Sequence, residues 1–282
     1  MRMGVITATW NRPELLGRMI ECFNRQTHED RLLIILDDTG QYGSHRSGDR
    51  WELFSVPRRI HKYAHKLNVL ASMLPSDVEG MCVFDDDDVY MPHTLAAYSE
   101  ALERGQWAQP RVVYEHREGG LVKVNAALAN GAGYLYHGTW CYRKKAFDDI
   151  GGYQHPPLPF DYLFGQAMAR KYGPSVDVAS EQYPEPTYIF CRDTSRSADP
   201  DWDTYWPLGE VGYERRRRPT PRIAGKTEQS PRTVTRLARV DPANARVESR
   251  VANQRVSLAM VGMAITRIVC QDHDWPPATD HA

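Results

Sequence analysis

The sequence predicts an α/β fold with a mostly parallel central sheet and helices on both faces. Apolar, strand-like runs alternate with segments of helical periodicity through the first third of the chain, and this alternation is typical of parallel sheets. Two of the apolar runs lead directly into acidic residues, at Asp37 and at Asp85. Because ligands bind beyond the carboxyl ends of parallel strands, functional residues are expected at that edge.

The first four strands and three helices follow from the order of apolar and polar residues. Residues 4–9 form a β-rich run, and Asn11-Arg12-Pro13-Glu14 is typical of a helix start with Asn11 as the N-cap. The continuous apolar run 32–36 predicts a buried parallel strand. Further strands are predicted at 51–56 and 81–84, and further helices at 64–74 and 92–103.

The second half of the chain is less regular. Residues 111–116 and 121–124 flank Glu118-Gly119-Gly120, which predicts a hairpin. An aromatic-rich strand region is expected at 134–143, a helix at 160–171 and short strands at 176–179 and 187–191. Residues 192–209 have no clear period and are interpreted as a long functional loop.

Length and charge predict two parts. The 282 residues, 41% of them hydrophobic, suffice for one full-sized core and an accessory segment. We expect a domain over residues 1–212, then a basic linker and a helical segment over 213–282. The net charge of −1 gives no electrostatic argument that the chain as a whole binds nucleic acid or membrane. The basic tail fits a solvated linker, a contact with an anionic surface, or packing of the last helix.

Cysteine usage and the apolar segments predict a cytoplasmic protein. The five cysteines form no spaced pairs typical of a disulfide framework or a zinc ribbon, so we expect reduced thiols. No secretory leader is recognisable at the N-terminus. The longest apolar stretch, 256–269, is shorter than the ~20 residues that a membrane-spanning helix needs.

The strongest chemical signal is the run of four carboxylates from Asp85 to Asp88. Like charges ~4 Å apart repel by ~1 kcal/mol even in water, so such a run beside an apolar strand is costly without a positive partner. A hard divalent cation, Mn²⁺ or Mg²⁺, takes oxygen ligands, and diphosphate oxygens can complete its coordination. A solvated acidic turn is the alternative interpretation.

Five stretches carry a resemblance to a known family: residues 5–13, 35–40, 65–68, 84–92 and 140–161. In this order and spacing they resemble the GT-A-fold glycosyltransferases of family 2, over about residues 3–195. The resemblance implies transfer of a sugar from a nucleotide-diphosphate sugar, most simply a UDP-sugar, to an acceptor hydroxyl. It also implies a metal-dependent and inverting reaction.

The resemblance also implies residue roles on the donor side. Thr7, Thr9 and Arg12 would line the nucleotide pocket. Asp38 would accept a hydrogen bond from the uracil ring, with Asp37 beside it. Lys66 would approach the diphosphate, and Asn68 would support that loop.

In the acidic motif, Asp85 and Asp87 correspond to the two named acids of the family's DxD pattern. Asp87, with Asp85, would bind the metal, and Asp86 would reach the ribose or a metal-bound water. Asp88 would lie behind them. Many members of the family have a histidine in the loop after the last strand, and this chain has none there. Arg192 or Arg196 would steady the diphosphate instead, with a surface loop as the alternative.

Asp161 matches the family's catalytic acid residue and would take the proton from the acceptor hydroxyl. A helix start also favours an ionised carboxylate there, although an N-cap role is the alternative. Phe160 departs from the Glu or Gln that usually precedes this Asp. His137, Trp140 and Tyr142 are candidates to stack on an acceptor sugar, with packing in the core as the alternative.

Two other functions are compatible with strand-end carboxylates and a cation. A nucleotidyltransferase normally has a glycine-rich loop after its first strand, and Thr7-Ala8-Thr9-Trp10-Asn11-Arg12-Pro13 lacks the glycines. A non-catalytic, cation-dependent protein that binds carbohydrate or polyanions is the other alternative.

Overall fold

The computed structural model describes residues 1–60, 62–117, 120–126, 136–154 and 160–191. The expected loop at 192–209 and the basic tail at 213–282 lie outside these residues. The division into two domains therefore stays a prediction.

A large sheet of eight strands forms the centre of the molecule, in the order β11-β7-β10-β5-β1-β2-β4-β3. Its strands are β1 (Met3–Thr9), β2 (Arg31–Asp37), β3 (His45–Gly48), β4 (Trp51–Ser55), β5 (Gly80–Val83), β7 (Trp107–Gln109), β10 (Cys141–Arg143) and β11 (Val176–Asp177). The central four strands, β5-β1-β2-β4, are parallel, whereas β3 and β10 are antiparallel to their neighbours. The predicted, mostly parallel α/β sheet is confirmed.

A smaller sheet of four strands lies beside it, in the order β6-β12-β8-β9. Its strands are β6 (Val89–Tyr90), β8 (Val112–Arg117), β9 (Gly120–Asn125) and β12 (Tyr188–Cys191). Strands β8 and β9 pair antiparallel, so the predicted hairpin is confirmed. The second sheet itself is not predicted from the sequence, because strand β6 has two residues and depends on pairing with β12.

In the described part of the chain, five helices cover the large sheet: α1 (Pro13–Asn24), α2 (Tyr63–Met73), α3 (Thr94–Arg104), α4 (Lys144–Asp149) and α5 (Phe160–Tyr172). One core cluster joins Val5 of β1 to apolar residues of α1 and α3. The other joins Ile6 to apolar residues of α2, α4 and α5. Because successive residues of a strand point to opposite faces, helices cover both faces of the sheet, as predicted.

The start of α1 differs from the prediction. Arg12, not Asn11, is the N-cap residue, and it makes no side-chain cap hydrogen bond. Asn11 instead adopts a left-handed conformation with a φ of 52°, which asparagine tolerates better than most residues. The positive φ turns the chain sharply between β1 and α1 and brings Arg12 back over the edge of the sheet.

The aromatic region before β10 also differs from the expected strand. Among residues 136–143, the described part of this region, the strand is Cys141–Arg143, and His137–Thr139 forms a short 3₁₀ helix. Tyr136, which precedes it, has a φ of 57°, and a left-handed residue breaks an extended chain.

Two further expectations can be compared with the described residues. Cys22, Cys82 and Cys141 are buried and form no disulfide, as expected for reduced thiols, and Cys191 is buried as well. Within the described ranges, none of the helices combines the length and the apolar character that crossing a bilayer requires.

Candidate functional site

The carboxyl ends of β1, β2 and β5 bring the predicted polar residues to one edge of the sheet. Thr9 at the end of β1 is in register with Asp37 at the end of β2. Ile6 is in register with Val83, the last residue of β5, so the acidic run begins level with the end of β1. Parallel pairing therefore assembles the site from segments that are far apart in the sequence.

Arg12 is the positive partner of the acidic run. Its Nη1 lies 3.0 Å from Asp86 Oδ1 and 2.8 Å from Asp87 Oδ2. Thr9 Oγ1 donates to the second oxygen of Asp86, at 2.6 Å. Although burial opposes it, the two carboxylates raise the pKa of Arg12. Burial raises the pKa of Asp86 despite these partners.

Asp85 points to a different set of partners. Its Oδ1 accepts a hydrogen bond from the Tyr63 hydroxyl at 2.6 Å, and its backbone N–H donates to the Tyr90 hydroxyl oxygen at 2.7 Å. Burial, together with the neighbouring carboxylates, raises the pKa of Asp85 to about 7. Its ionised form is thus costly, and a cation beside it would stabilise that form.

Asp88 connects the acidic run to the small sheet. Its Oδ1 accepts from the Cys191 N–H at 2.9 Å, and its Oδ2 accepts from the Tyr188 hydroxyl. The residue is buried, and burial raises its pKa well above the usual value. Asp88 therefore lies behind the other three carboxylates, where it stabilises the contact with strand β12.

The donor atoms at this edge suit a divalent cation only in part. Within the described ranges, no three His, Cys, Asp or Glu side chains converge as a ready-made metal site. Asp85 and Asp87 are the two members of the run that remain partly exposed. Two carboxylates supply hard oxygen ligands of the kind that Mg²⁺ and Mn²⁺ prefer, and the remaining ligands would have to come from a bound molecule.

Asp38 and Lys66 form a buried ion pair. Lys66 Nζ lies 2.7 Å from Asp38 Oδ2, and both side chains are almost completely covered. Asp38 also accepts from Ile60 N–H at 2.7 Å and from Arg59 Nη1 at 3.0 Å. Burial lowers the pKa of Lys66. Asp38 was expected to contact the base and Lys66 the diphosphate, but in the structure they form an ion pair with each other.

Asp37 is likewise used within the protein. Its carboxylate accepts from the Thr39 hydroxyl at 2.7 Å and from the Ser55 hydroxyl at 2.6 Å. The side chain therefore joins the ends of β2 and β4. This arrangement fixes the loop that carries Asp38.

Trp10 is a surface feature of this edge that sequence analysis did not single out. It is 49% exposed, one of the few large apolar side chains to be so among the described residues. The Arg59 guanidinium lies over its ring, 4.1 Å from the centroid. The exposed part of an aromatic ring can stack on another planar ring. The one sequence feature that could have identified Trp10 is its position directly after β1, where an apolar residue no longer belongs to the buried strand.

Thr7 and Asn68 make contacts inside the protein. Thr7 is completely buried, and its hydroxyl donates to Phe84 C=O at 2.8 Å. The Asn68 amide donates to Tyr153 C=O and accepts from Tyr153 N–H, both at 2.9 Å. Asn68 was expected to support the loop of Lys66. It supports the segment before α5 instead. These contacts place both residues beneath the site.

His137, Trp140 and Tyr142 lie in the core and not on an acceptor-facing surface. Trp140 and Tyr142 are completely buried, and His137 is almost so. Burial lowers the pKa of His137 to about 3, and its Nε2 lies 2.8 Å from the Tyr153 hydroxyl. The structure therefore favours the packing alternative for all three residues.

Asp161 lies in the first turn of α5, as predicted, and it remains partly exposed. The preceding Phe160 packs against Tyr63, with 5.6 Å between the ring centroids. Because Tyr63 also donates to Asp85, the start of α5 borders the acidic run. Arg196 lies outside the described residues.

Solved structures show the same fold. S. aureus TarS 1-349 superposes with a TM-score of 0.52 at 13% identity, over 68% of this chain and 61% of that one. Its complex with UDP-GlcNAc gives 0.55 at 14% identity, over 71% and 62%. The complex with UDP gives 0.52 at 14% identity, over 68% and 60%.

The chain therefore has a GT-A-like fold, as its sequence motifs predicted. It spans about three fifths of the length of TarS 1-349. No protein-family model matches the sequence, and no curated protein is significantly similar to it.

Proposed function

We propose that this protein is a glycosyltransferase that moves a sugar from a UDP-sugar to an acceptor hydroxyl. The observation that carries the proposal is the sheet edge at which Asp85–Asp87, Arg12, Asp38 and Trp10 meet. This edge lies in a GT-A-like fold of which one solved relative binds UDP-GlcNAc. Strand ends of such sheets are where ligands bind.

The base of the donor would lie against Trp10. The exposed indole offers a stacking face, and Arg59, which covers it at 4.1 Å, would move aside or clamp the base from above. Asp38 would reach the uracil ring only if the base replaced one of its present partners, and Arg59 is the most exposed of them. Thr9 and Arg12 would line the neighbouring ribose and phosphate region.

Asp85 and Asp87 would hold Mn²⁺ or Mg²⁺ between them and the diphosphate. The bound cation would neutralise the charge that develops on the leaving diphosphate. Asp86 is held by Thr9 and Arg12. From that position it would reach the ribose or a metal-bound water. Arg12 would release Asp87 to the cation and turn to a phosphate oxygen, for which a guanidinium is well suited.

Asp161 would act as the base. The acceptor oxygen would form its bond to the anomeric carbon as the bond to the diphosphate breaks, and the hydroxyl proton would pass to Asp161. Its place in the first turn of α5, where it remains partly exposed, leaves the carboxylate accessible to an acceptor. A single displacement of this kind inverts the anomeric centre.

Two substitutions test the donor and base roles separately. Asp87→Ala should remove the Mn²⁺-dependent part of UDP binding, measured by calorimetry with Mn²⁺ and with EDTA. Asp161→Asn should keep that binding and lower the turnover of UDP-GlcNAc, followed as UDP release, by at least about a hundredfold. Asp149→Asn, a surface carboxylate at the end of α4, is the matched control for both.

The outcomes separate the possible functions. Absence of any Mn²⁺-dependent UDP binding by the unaltered protein would refute the donor assignment. Mn²⁺-dependent binding without UDP release from any nucleotide sugar, and with no effect of Asp161→Asn, would instead favour a non-catalytic binding protein.

A further inference from the structure

We propose that Tyr63 and Gly138 are positioning residues that fix the Asp85 carboxylate for the cation. The inference rests on the proposed function and deepens it, because it explains how one of the two metal-binding carboxylates is oriented. Neither residue carries a charge, and both approach Asp85 from elements outside the acidic run.

Tyr63 restrains one oxygen of Asp85. Its hydroxyl donates to Asp85 Oδ1 at 2.6 Å from the first residue of α2. The ring is itself held, because it packs against Phe160 with 5.6 Å between the centroids. Because this hydrogen bond engages Oδ1 of Asp85, Oδ2 of the same carboxylate is the oxygen left to bind a cation.

Gly138 defines the space around that second oxygen. A Cβ atom at this position would lie 2.5 Å from Asp85 Oδ2 and 2.9 Å from the Tyr90 hydroxyl. Contacts this short force an atom to move, and the Tyr90 hydroxyl is fixed by the hydrogen bond from Asp85 N–H. The carboxylate would therefore have to rotate. Gly138 has no positive φ, so the requirement for glycine comes from this close approach alone.

The two residues that precede Gly138 are held by side-chain contacts. Tyr136, in its left-handed conformation, donates its hydroxyl to the buried carboxylate of Glu115. His137 contacts the Tyr153 hydroxyl at 2.8 Å, and Asn68 holds the backbone of Tyr153 from α2. The 3₁₀ turn therefore cannot withdraw easily from Asp85.

Together these contacts orient Asp85 from two directions. Tyr63 pins Oδ1 on the α2 side, and Gly138 allows Oδ2 only a narrow range of positions on the other. Partners that orient a metal-binding side chain typically change metal affinity by about 10–100-fold when they are altered. The same change is expected here, without a change in the contacts that hold the nucleotide directly.

The test uses Tyr63→Phe and Gly138→Ala in the full chain, with Mn²⁺ and UDP as probes. Calorimetry should show Mn²⁺ affinity in saturating UDP falling by about tenfold or more in each variant. UDP affinity in EDTA should stay within about twofold of the unaltered protein. Because a general loss of structure would weaken both, the split between the two affinities identifies a positioning role.

Two controls remove comparable groups elsewhere. Tyr172→Phe deletes a hydroxyl that donates to the carboxylate of Asp149 at 3.0 Å on the surface. Gly17→Ala adds a methyl group to a helix position with nothing within 4 Å. Neither should change the Mn²⁺ affinity.

The positioning roles and the proposed function fail in different ways. A protein that gains no UDP affinity from Mn²⁺ before any substitution overturns the proposed function. A normal gain that persists in Tyr63→Phe and Gly138→Ala overturns the positioning roles alone. Equal losses of UDP affinity in EDTA and in Mn²⁺ also overturn them, because such losses indicate a general structural effect.

Discussion

At the scale of single residues, His137 links the buried aromatic cluster to the turn beside Asp85. Burial lowers its pKa to about 3, whereas in the unfolded chain the pKa is about 6.5. Between about pH 6.5 and 3 the unfolded chain therefore binds up to one proton more than the folded protein. The stability that depends on a neutral His137 is complete above pH 6.5 and is lost progressively as the pH falls toward 3.

We accordingly predict that His137→Gln flattens the pH dependence of stability. The free energy of unfolding of the unaltered protein should fall by up to about 1.4 kcal/mol more per pH unit than that of the variant, between pH 6 and 4. Urea denaturation at several pH values measures both slopes. Parallel slopes for the two proteins would contradict a buried, neutral His137.

The carboxylates were predictable because their signal is local, whereas their partners were not. Four acidic residues directly after an apolar strand stand out in any sequence. Tyr63 and Arg59 have no such signal, since each acquires a role only through a carboxylate about twenty residues away in the chain. Trp10 resembles any aromatic residue at a strand end until its exposure is known.

At the scale of elements, α2 does more than cover the sheet. It carries Lys66 toward Asp38, Tyr63 toward Asp85 and Asn68 toward Tyr153. None of these three contacts was expected from the sequence. Asn68 and Tyr153 are 85 positions apart in the sequence, so no local pattern reveals their contact.

Loss of the Asn68 amide should destabilise the protein through this contact. Asn68→Ala leaves the N–H and C=O of Tyr153 without partners, and a buried orphaned group costs about 1–3 kcal/mol. We expect a fall of that size in the free energy of unfolding from urea titration. Ser72→Ala, on the exposed side of α2, is the matched control and should change it by less than about 0.5 kcal/mol. Equal effects would refute the role assigned to Asn68.

The long elements were predicted, whereas several of the short ones were missed, for a physical reason. Strands β1 and β2 have seven residues each, all buried, and such runs specify a central parallel strand by themselves. Strands β3, β6 and β7 have four, two and three residues, and exist because neighbouring strands pair with them. Long-range pairing of this kind leaves no periodicity to detect.

At the scale of the whole molecule, the α/β architecture followed from alternation, but the attachment of the small sheet did not. Asp88 joins the acidic run to strand β12 of the small sheet, because its carboxylate accepts hydrogen bonds from Cys191 N–H and from the Tyr188 hydroxyl. A carboxylate expected to lie behind the cation therefore also joins the two sheets. Residue type alone does not reveal this second role.

Removal of the Asp88 carboxylate should loosen the small sheet selectively. In Asp88→Ala we expect faster amide hydrogen exchange across β12, where two donors lose their acceptor. Exchange in β1 and β2 should be unchanged, since their ladder makes no contact with this carboxylate. Hydrogen exchange followed by mass spectrometry resolves the two regions.

Two results would contradict this view of Asp88. Uniformly faster exchange in both sheets would mean that they unfold as one unit. Unchanged exchange in β12 would mean that pairing with β6 and β8 holds it without the carboxylate.

The guanidinium of Arg12, bridged between Asp86 and Asp87, gives the resting protein an internal counter-ion. Under the proposed function, an arriving cation would displace this guanidinium from Asp87, so binding would exchange one positive charge for another. The displaced guanidinium would stay close by and would pair with an anion that accompanies the cation. A bare metal ion would therefore bind less favourably than a cation already paired with a diphosphate, which gives the displaced charge a new partner.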